Sequence, residues 1–297
     1  MKSTFVLALL AALCGTASAQ SLTDGAFAAQ LQGIRVQALR GGKTVAAGIQ
    51  AADRKAAPKR LLDSVLVSMN DQPGTAASLV EWLRDNNAVV EFNDLVQDGS
   101  AHAWLGDSAA DRKVPAVYVS PLAMEPVSHR YLGILIARET AELMLKDFPE
   151  SAEKRYMVAS RAAETFFELG GTRMDMEDID GHRDEKVAAT LRLWVENDPS
   201  GGVQVLKSRG VQTLKDLEAG LASESNRLVQ LIGAIDGMLV VPNDPNAPSL
   251  QAELDATRAE LGRVSSKQAA VKAAKAQFET FSQDEKAYLW EHQGSLQ

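Results

Sequence analysis

Cysteine, histidine and aromatic residues are scarce in this sequence. The 297 residues include a single cysteine, Cys14, and four histidines. One cysteine excludes an internal disulfide, so the fold must be held by packing. Four histidines, none paired at ligand spacing, leave little for acid–base chemistry near neutral pH. Aromatic residues make up 5% of the chain, and the four tryptophans are dispersed, so we expect them in the core or at interfaces.

Basic residues are outnumbered by acidic ones. The chain has 31 Lys and Arg against 39 Asp and Glu, a formal net charge of −8. This acidic balance argues against nucleic acid or an anionic membrane surface as a partner. After the first twenty residues no apolar run is long enough to cross a bilayer, so no membrane insertion is predicted.

The first nineteen residues have the pattern of a secretory signal peptide. Lys2 gives a basic start, residues 5–13 are apolar, and Ala17-Ser18-Ala19 is an A-x-A cleavage site. Cleavage after Ala19 would remove Cys14 and make Gln20 the first residue. We therefore predict an exported protein, either periplasmic or secreted.

Four segments follow from the distribution of turns and apolar residues. They are the signal peptide at 1–19, an N-terminal extension at 20–60 that ends in a linker at 56–60, a mixed α+β region at 61–206, and a helical region at 207–297. Within the mixed region, strand-like runs at 88–95, 100–105 and 114–121 lie between helical patterns.

The helical region carries two apolar seams. The first consists of Leu214, Leu217, Leu221, Leu228, Leu231 and Ile235, interrupted by Glu224. Three prolines then turn the chain between residues 239 and 248. The second seam consists of Leu250, Leu254, Leu261, Val264, Val271 and Phe278, with Thr257, Gln268 and Lys275 at seam positions. Matching seams on both sides of a proline-rich turn predict an antiparallel helical hairpin, residues 211–240 against 249–281.

The motif that bears most on function is Arg138-Glu139-Thr140-Ala141-Glu142, inside a helical pattern. It has the frame of H-E-x-x-H, in which two histidines one helical turn apart hold zinc and the glutamate activates water. Here Arg138 and Glu142 occupy the histidine positions, and Glu139 keeps the position of the general base. Arginine has no lone pair to offer a metal, so Arg138 cannot ligate zinc.

The order of elements around this motif resembles bacterial zincin-type metallopeptidases. A helix leads into a strand pair, then come the segment Val114-Pro-Ala-Val-Tyr-Val-Ser-Pro121, the motif helix, and a helix ending in Phe166-Phe-Glu-Leu-Gly-Gly171. The resemblance covers about residues 61–171. It implies an α+β fold: a zincin-like core with a small sheet packed on an active-site-type helix, plus the C-terminal antiparallel helical hairpin. It also implies that residues 116–120 form the sheet edge along which a peptide would bind.

The candidate cleft and binding residues are Arg138, Glu139, Glu142 and Tyr118, and no catalytic residue, metal ligand or cofactor is assigned. The simplest interpretation is an Arg138–Glu142 ion pair on a partly exposed helix. A second is that the Arg138 guanidinium supplies the positive charge that zinc would supply and holds a carboxylate. A third is a rebuilt metal site. It would combine Glu139 and Glu142 with one further ligand, from the set His129, Glu153, Glu164 and His182.

These observations predict an exported and catalytically inactive relative of metallopeptidases. It would bind a peptide or protein partner through the former cleft, the hairpin, or both. One alternative is a hydrolase with a carboxylate-based site at Glu139 and Glu142. Another is a structural protein whose hairpin mediates assembly. The oligomeric state is left open by the sequence.

Overall fold

The computed structural model describes residues 46–94, 96, 101–107, 113–121, 129–172, 175, 190–194, 198–240 and 245–292. The predicted signal peptide and two of the residues weighed above, Cys14 and His182, lie outside the described residues. Seven longer helices and three strands are described. In chain order they are α1 (Ala46–Asn70), α2 (Thr75–Asp85), β1 (Val89–Phe92), β2 (Ala101–Asp107), β3 (Lys113–Val119), α3 (His129–Met144), α4 (Ala152–Glu168), α5 (Pro199–Ser208), α6 (Leu214–Leu239) and α7 (Ala247–His292).

The three strands form one mixed sheet in the order β1-β3-β2. β3 pairs in parallel with β1, with Val90 opposite Val117, and antiparallel with β2, with Ala103 opposite Val117. β3 is therefore the central strand. The prediction that residues 116–120 form the sheet edge is wrong, because both sides of β3 are already paired, and the edge strands are β1 and β2.

The motif helix α3 lies at the centre of the main core. Every residue from Tyr131 to Ala137 is buried, a run of consecutive apolar residues and one glycine that leaves no polar side to this part of the helix. The run packs with Leu79 of α2, Val117 of β3 and Phe166 of α4 in one hydrophobic cluster. A helix that is apolar on all sides is a core helix, so most of α3 is surrounded by protein.

The two C-terminal helices pair as an antiparallel hairpin, as predicted. Lys275 reaches Glu218 near the base of the pair, at 2.5 Å, and Arg258 reaches Asp236 near its tip, at 3.4 Å. Leu228 and Ile235 of α6 and Leu254 and Val264 of α7 are buried on the facing sides. α6 begins in a capping box, in which Thr213 accepts from the N–H of Asp216 and the Asp216 carboxylate accepts from Thr213.

A second hydrophobic cluster attaches the base of the hairpin to α4 and α5. It joins Leu214 of α6 and Phe281 of α7 to Tyr156 of α4 and Leu206 of α5. α7 continues past residue 281, where the predicted hairpin ended, to His292. None of the helices in the described ranges combines the length and apolar character needed to cross a membrane.

The α+β class is thus confirmed in its coarse form, a mostly helical protein with a small sheet and a C-terminal helical pair. The zincin-like core remains a prediction. The prediction of a linker at residues 56–60 is wrong, because α1 is one helix through these residues. The prediction rested on Pro58, which lies inside α1. A proline in a helix interior removes one backbone hydrogen bond and kinks or breaks the helix, and here the helix continues.

Candidate functional site

The Glu139 carboxylate caps the outer edge of the sheet. Glu139 is 7% exposed, and its Oε2 accepts a hydrogen bond from the backbone N–H of Ala103 at 2.8 Å. β2 pairs with β3 on its other side, so this N–H belongs to the unpaired edge of β2. A carboxylate that accepts a backbone N–H replaces the neighbouring strand that an edge otherwise lacks. Glu139 therefore holds α3 against β2.

Arg138 completes the same contact. Its Nε lies 2.9 Å and its Nη2 2.8 Å from Glu139 Oε1, and Nη2 also donates to the carbonyl of Ala101 at 3.4 Å. Ala101 and Ala103 are two residues apart on β2, so their backbone groups point to the same edge. The side chains of Arg138 and Glu139 thus bind one carbonyl and one N–H of the strand, the pair of groups that an added peptide strand would use.

Glu142 belongs to a different ion pair. Its carboxylate lies 3.6 Å from Lys154 Nζ on α4, and its side chain is 37% exposed. Burial raises the pKa of Glu142, which Lys154 partly offsets. The interpretation of an Arg138–Glu142 ion pair is therefore replaced by two pairs, Arg138 with Glu139 and Glu142 with Lys154.

Tyr118 lies on the other face of the sheet. Its neighbours Val117 and Val119 are fully buried in the cluster that contains α3. Successive side chains of a strand point to opposite faces, so Tyr118 points away from α3. The structure brings Arg138 and Glu139 together and places Glu142 one turn away, but it does not place Tyr118 in the same site.

Three of the residues considered as a third metal ligand, Glu153, Glu164 and His129, make other contacts. Glu153 accepts from the N–H of Leu214 at 2.9 Å and so caps α6. Glu164 accepts from Thr75 and from Arg161. His129 Nε2 lies 2.9 Å from Ser64 Oγ. In the described ranges no group of three His, Cys, Asp or Glu side chains is arranged to hold a metal ion.

Ser64 and His129 are the residue types of a catalytic nucleophile and its general base. The direction of their hydrogen bonds, however, does not fit an activated serine. The Ser64 hydroxyl donates to the carbonyl of Leu61 at 2.8 Å. A hydroxyl has one hydrogen, so Ser64 accepts from His129 instead of donating to it. An activated serine requires the opposite direction, with the imidazole as acceptor.

A buried polar cluster lies where α4 meets the end of α7 and the start of α2, and it was not predicted from the sequence. We call it the junction and define it by Thr75, Tyr156, Arg161, Glu164 and Glu285. The Tyr156 hydroxyl donates to Glu285 Oε2 at 3.1 Å, and Arg161 Nη1 lies 3.1 Å from Glu164 Oε2. Glu285 and Glu164 are 2% and 3% exposed. Burial raises the pKa of both glutamates, and buried acids with a shifted pKa are common at functional sites.

A sequence signal for the junction was present in the spacing of α7. The apolar positions Val271, Ala274, Phe278 and Phe281 recur every three or four residues, and the next two positions in the same series are Glu285 and Tyr288. Extending the seam beyond residue 281 would have placed a glutamate on a buried face.

Comparison with known proteins finds no family model, curated protein or solved structure that matches this chain.

Proposed function

We propose that this protein is an exported, non-catalytic binding protein that engages a protein partner through the outer side of its helical hairpin. The observation that carries the proposal is an exposed, uncharged stripe on α6. The alternative cleft-based mechanism has less support, because Arg138 and Glu139 occupy the edge groups of β2 that a peptide would need.

A catalytic role for Glu139 is also disfavoured by its contacts. Both of its carboxylate oxygens accept hydrogen bonds, one from Ala103 and the other from Arg138. A general base must reach the proton that it removes, and these partners must first be displaced. Metal analysis of the purified protein tests the hydrolase alternative directly. Stoichiometric metal that is lost in Glu139→Gln or Glu142→Gln would overturn the non-catalytic proposal.

The hairpin extends beyond the part that is attached to the core. Leu221 of α6 and Val271 of α7 are its outermost members of the second hydrophobic cluster. Farther out, Leu228, Ile235, Leu254 and Val264 are buried but belong to neither cluster. This distal arm, residues 222–240 and 245–269 in their described parts, therefore buries one seam and leaves the outer sides of both helices open.

One outer side of α6 carries no charge. We call it the outer stripe. It is formed by residues spaced three or four apart, which lie on one face of a helix: Ala222, Asn226, Val229, Gly233, Gly237 and Val240. Val229 and Val240 are 54% and 79% exposed. A contiguous uncharged surface that includes exposed apolar side chains is a common mark of protein interaction sites.

The glycines of the outer stripe lower the stability of the free helix. A Cβ added at Gly233 or Gly237 would meet no atom within 4 Å, so no contact within the described residues requires a glycine at either position. An exposed glycine in a helix costs about 1 kcal/mol relative to alanine. A partner helix that approaches the α6 backbone closely would explain both glycines.

A photocrosslinking amino acid placed at position 229 in the exported protein tests the proposal in the cells that produce it. We expect a discrete protein adduct from position 229 and none from position 67, where Val67 is equally exposed on α1. The mass of the adduct separates another protein from a second copy of this chain. The same adducts at both positions, or none at position 229, would remove the support for the stripe.

Gly233→Ala and Gly220→Ala form a matched pair for the same experiment. Both glycines lie in α6 with open space around them, but Gly220 is on the opposite side from the outer stripe. Each substitution should stabilise the free protein by about 1 kcal/mol. Only Gly233→Ala should weaken the adduct formed at position 229. Equal effects of the two substitutions on that adduct would count against close approach at Gly233.

A further inference from the structure

The last turns of α7 rest on α4 through the junction and an aromatic surface beside it. The Arg161 guanidinium lies over the Phe281 ring, 5.2 Å from its centroid. Tyr288, two turns later, lies 5.5 Å from the Trp194 ring, which stacks on Phe167. Glu285 lies between these two contacts on the same side of α7. The end of α7 is thus held by rings on both sides of one buried carboxyl group.

Within the described part of the chain, Glu285 makes a single hydrogen bond, which is few for an ionised carboxylate. Its Oε2 accepts from Tyr156, while its Oε1 is buried without a hydrogen-bond partner among the described residues. The Ser160 hydroxyl on α4 is a second neutral donor that lowers the pKa of Glu285, but in this structure its oxygen is also buried and makes no hydrogen bond to the residues described. A buried carboxylate normally accepts several hydrogen bonds or pairs with a cation, because leaving water is costly for the charge. The protonated acid has a smaller requirement, since it carries no charge and can donate its own hydrogen.

In the part of the chain that the structure describes, no cation pairs with Glu285. From α4, Arg161 directs Nη1 to Glu164 and Thr75, and its side chain is 41% exposed. Glu164 is the second acid beside Glu285, and Tyr156 is a phenol. Glu168, also on α4, accepts from the N–H groups of Thr75 and Ala76 and from the hydroxyl of Tyr288 on α7. α2 contributes the uncharged Thr75. Among the described residues, two buried acids therefore face a single guanidinium, which binds one of them.

We propose that the contact between the end of α7 and α4 is a proton-dependent latch, closed while Glu285 is protonated and loosened when Glu285 is ionised. The direction of the pH effect follows from the nearby charges. Ionised Glu285 would lie beside Glu164 without a cation of its own, so ionisation weakens the contact. Loosening would free the last turns of α7 from the rings of Trp194 and Phe167.

The pKa values of Glu285 and Glu164 also predict that the latch weakens as the pH rises. Burial raises the pKa of Glu285 from 4.5 to about 7, and burial also raises the pKa of Glu164. A carboxyl group whose pKa is raised in the closed state stabilises that state fully below its ordinary pKa of 4.5. This stabilisation is lost as the pH rises through about 7. The latch is therefore closed in acid and weaker at and above neutral pH.

Amide hydrogen exchange of residues 281–292 measures the latch in the full chain. After correction for the intrinsic exchange rate, we expect exchange of this segment to rise up to about tenfold per pH unit from pH 5 to 7, because opening releases one proton. The rate should level off above pH 7. Residues 250–264 of the same helix provide a reference that does not contact the junction.

Three variants separate the latch from general destabilisation. Glu285→Gln, which resembles the protonated acid, should give a flatter profile and slower exchange than the parent at pH 8. Glu279→Gln, at an exposed position of α7, should keep the parent profile. Tyr156→Phe should shift the levelling-off to higher pH, because the tyrosine hydrogen bond favours the ionised acid. A parent profile that is flat between pH 5 and 8, or a Glu285→Gln profile identical to the parent, would overturn the proposal.

Discussion

At the scale of single residues, the motif glutamate Glu139 makes a structural contact between a helix and the sheet. Glu139 joins α3 to the edge of β2 through Ala103 and is neutralised by Arg138, its neighbour in the chain. The contact needs a charged pair because a buried carboxylate without a cation is costly. Arg138, which cannot ligate zinc, therefore stabilises the buried glutamate.

Glu139→Gln tests this contact. We expect the free energy of unfolding to fall by about 1–3 kcal/mol, because the partly buried Arg138 then loses the Glu139 carboxylate as a partner. Urea unfolding measures the change. Glu142→Gln is the matched control, since Glu142 is more exposed and Lys154 also pairs with Glu150. A loss of about 0.5 kcal/mol or less is expected there. Equal losses in the two variants would contradict the assignment of Glu139 as the edge cap.

At the scale of elements, α6 and α7 are held together by one narrow seam. Leu228 is 3% exposed at the centre of that seam, whereas its neighbour Val229 is 54% exposed on the outer stripe. Adjacent helical residues differ by about 100° in direction, which is enough to move a side chain from the buried side to solvent.

Leu228→Asp and Val229→Asp are therefore a matched pair. Aspartate at position 228 would place a charge in an apolar contact and should lower the free energy of unfolding by about 3 kcal/mol or more. Aspartate at position 229 should change it by about 0.5 kcal/mol or less, because the site is exposed. Circular dichroism during urea unfolding reports both changes. A neutral effect at position 228 would mean that the seam is not buried between the two helices.

At the scale of the whole molecule, the core and the distal arm differ in how much apolar surface supports them. α3 is surrounded by the sheet and three helices, with Ile134 fully buried, whereas the distal arm is a single pair of helices. Regions with few buried apolar contacts open at lower free energy than the core.

This difference predicts two levels of stability. Amides in residues 222–240 should exchange at a lower opening free energy than those of α3 in the same sample. Leu254→Ala should speed exchange in the distal arm and leave α3 unchanged, with a local cost of about 2–4 kcal/mol. Ile134→Ala should destabilise both regions, because it weakens the core to which the hairpin is attached. If Leu254→Ala affects α3 as strongly as the arm, the molecule unfolds as one unit.

The sequence by itself determined the features that depend on local patterns. The two leucine-rich seams and the prolines between them predicted the hairpin, and the apolar runs predicted the strands that became β1, β2 and β3. The spacing of Arg138, Glu139 and Glu142 put them on one helix. These features follow from helical and strand periodicity, which depends only on residues close together in the sequence.

Only the tertiary structure decided how those pieces meet. The central position of β3 depends on pairing between distant strands, and periodicity does not specify which strand lies between the others. The partner of Glu139 is a backbone N–H on β2, and the partner of Glu142 is Lys154 on α4. Glu285 is separated from Tyr156 by 129 residues. The charges that surround a buried acid come from several elements, so its protonation is fixed by packing and not by its place in the chain.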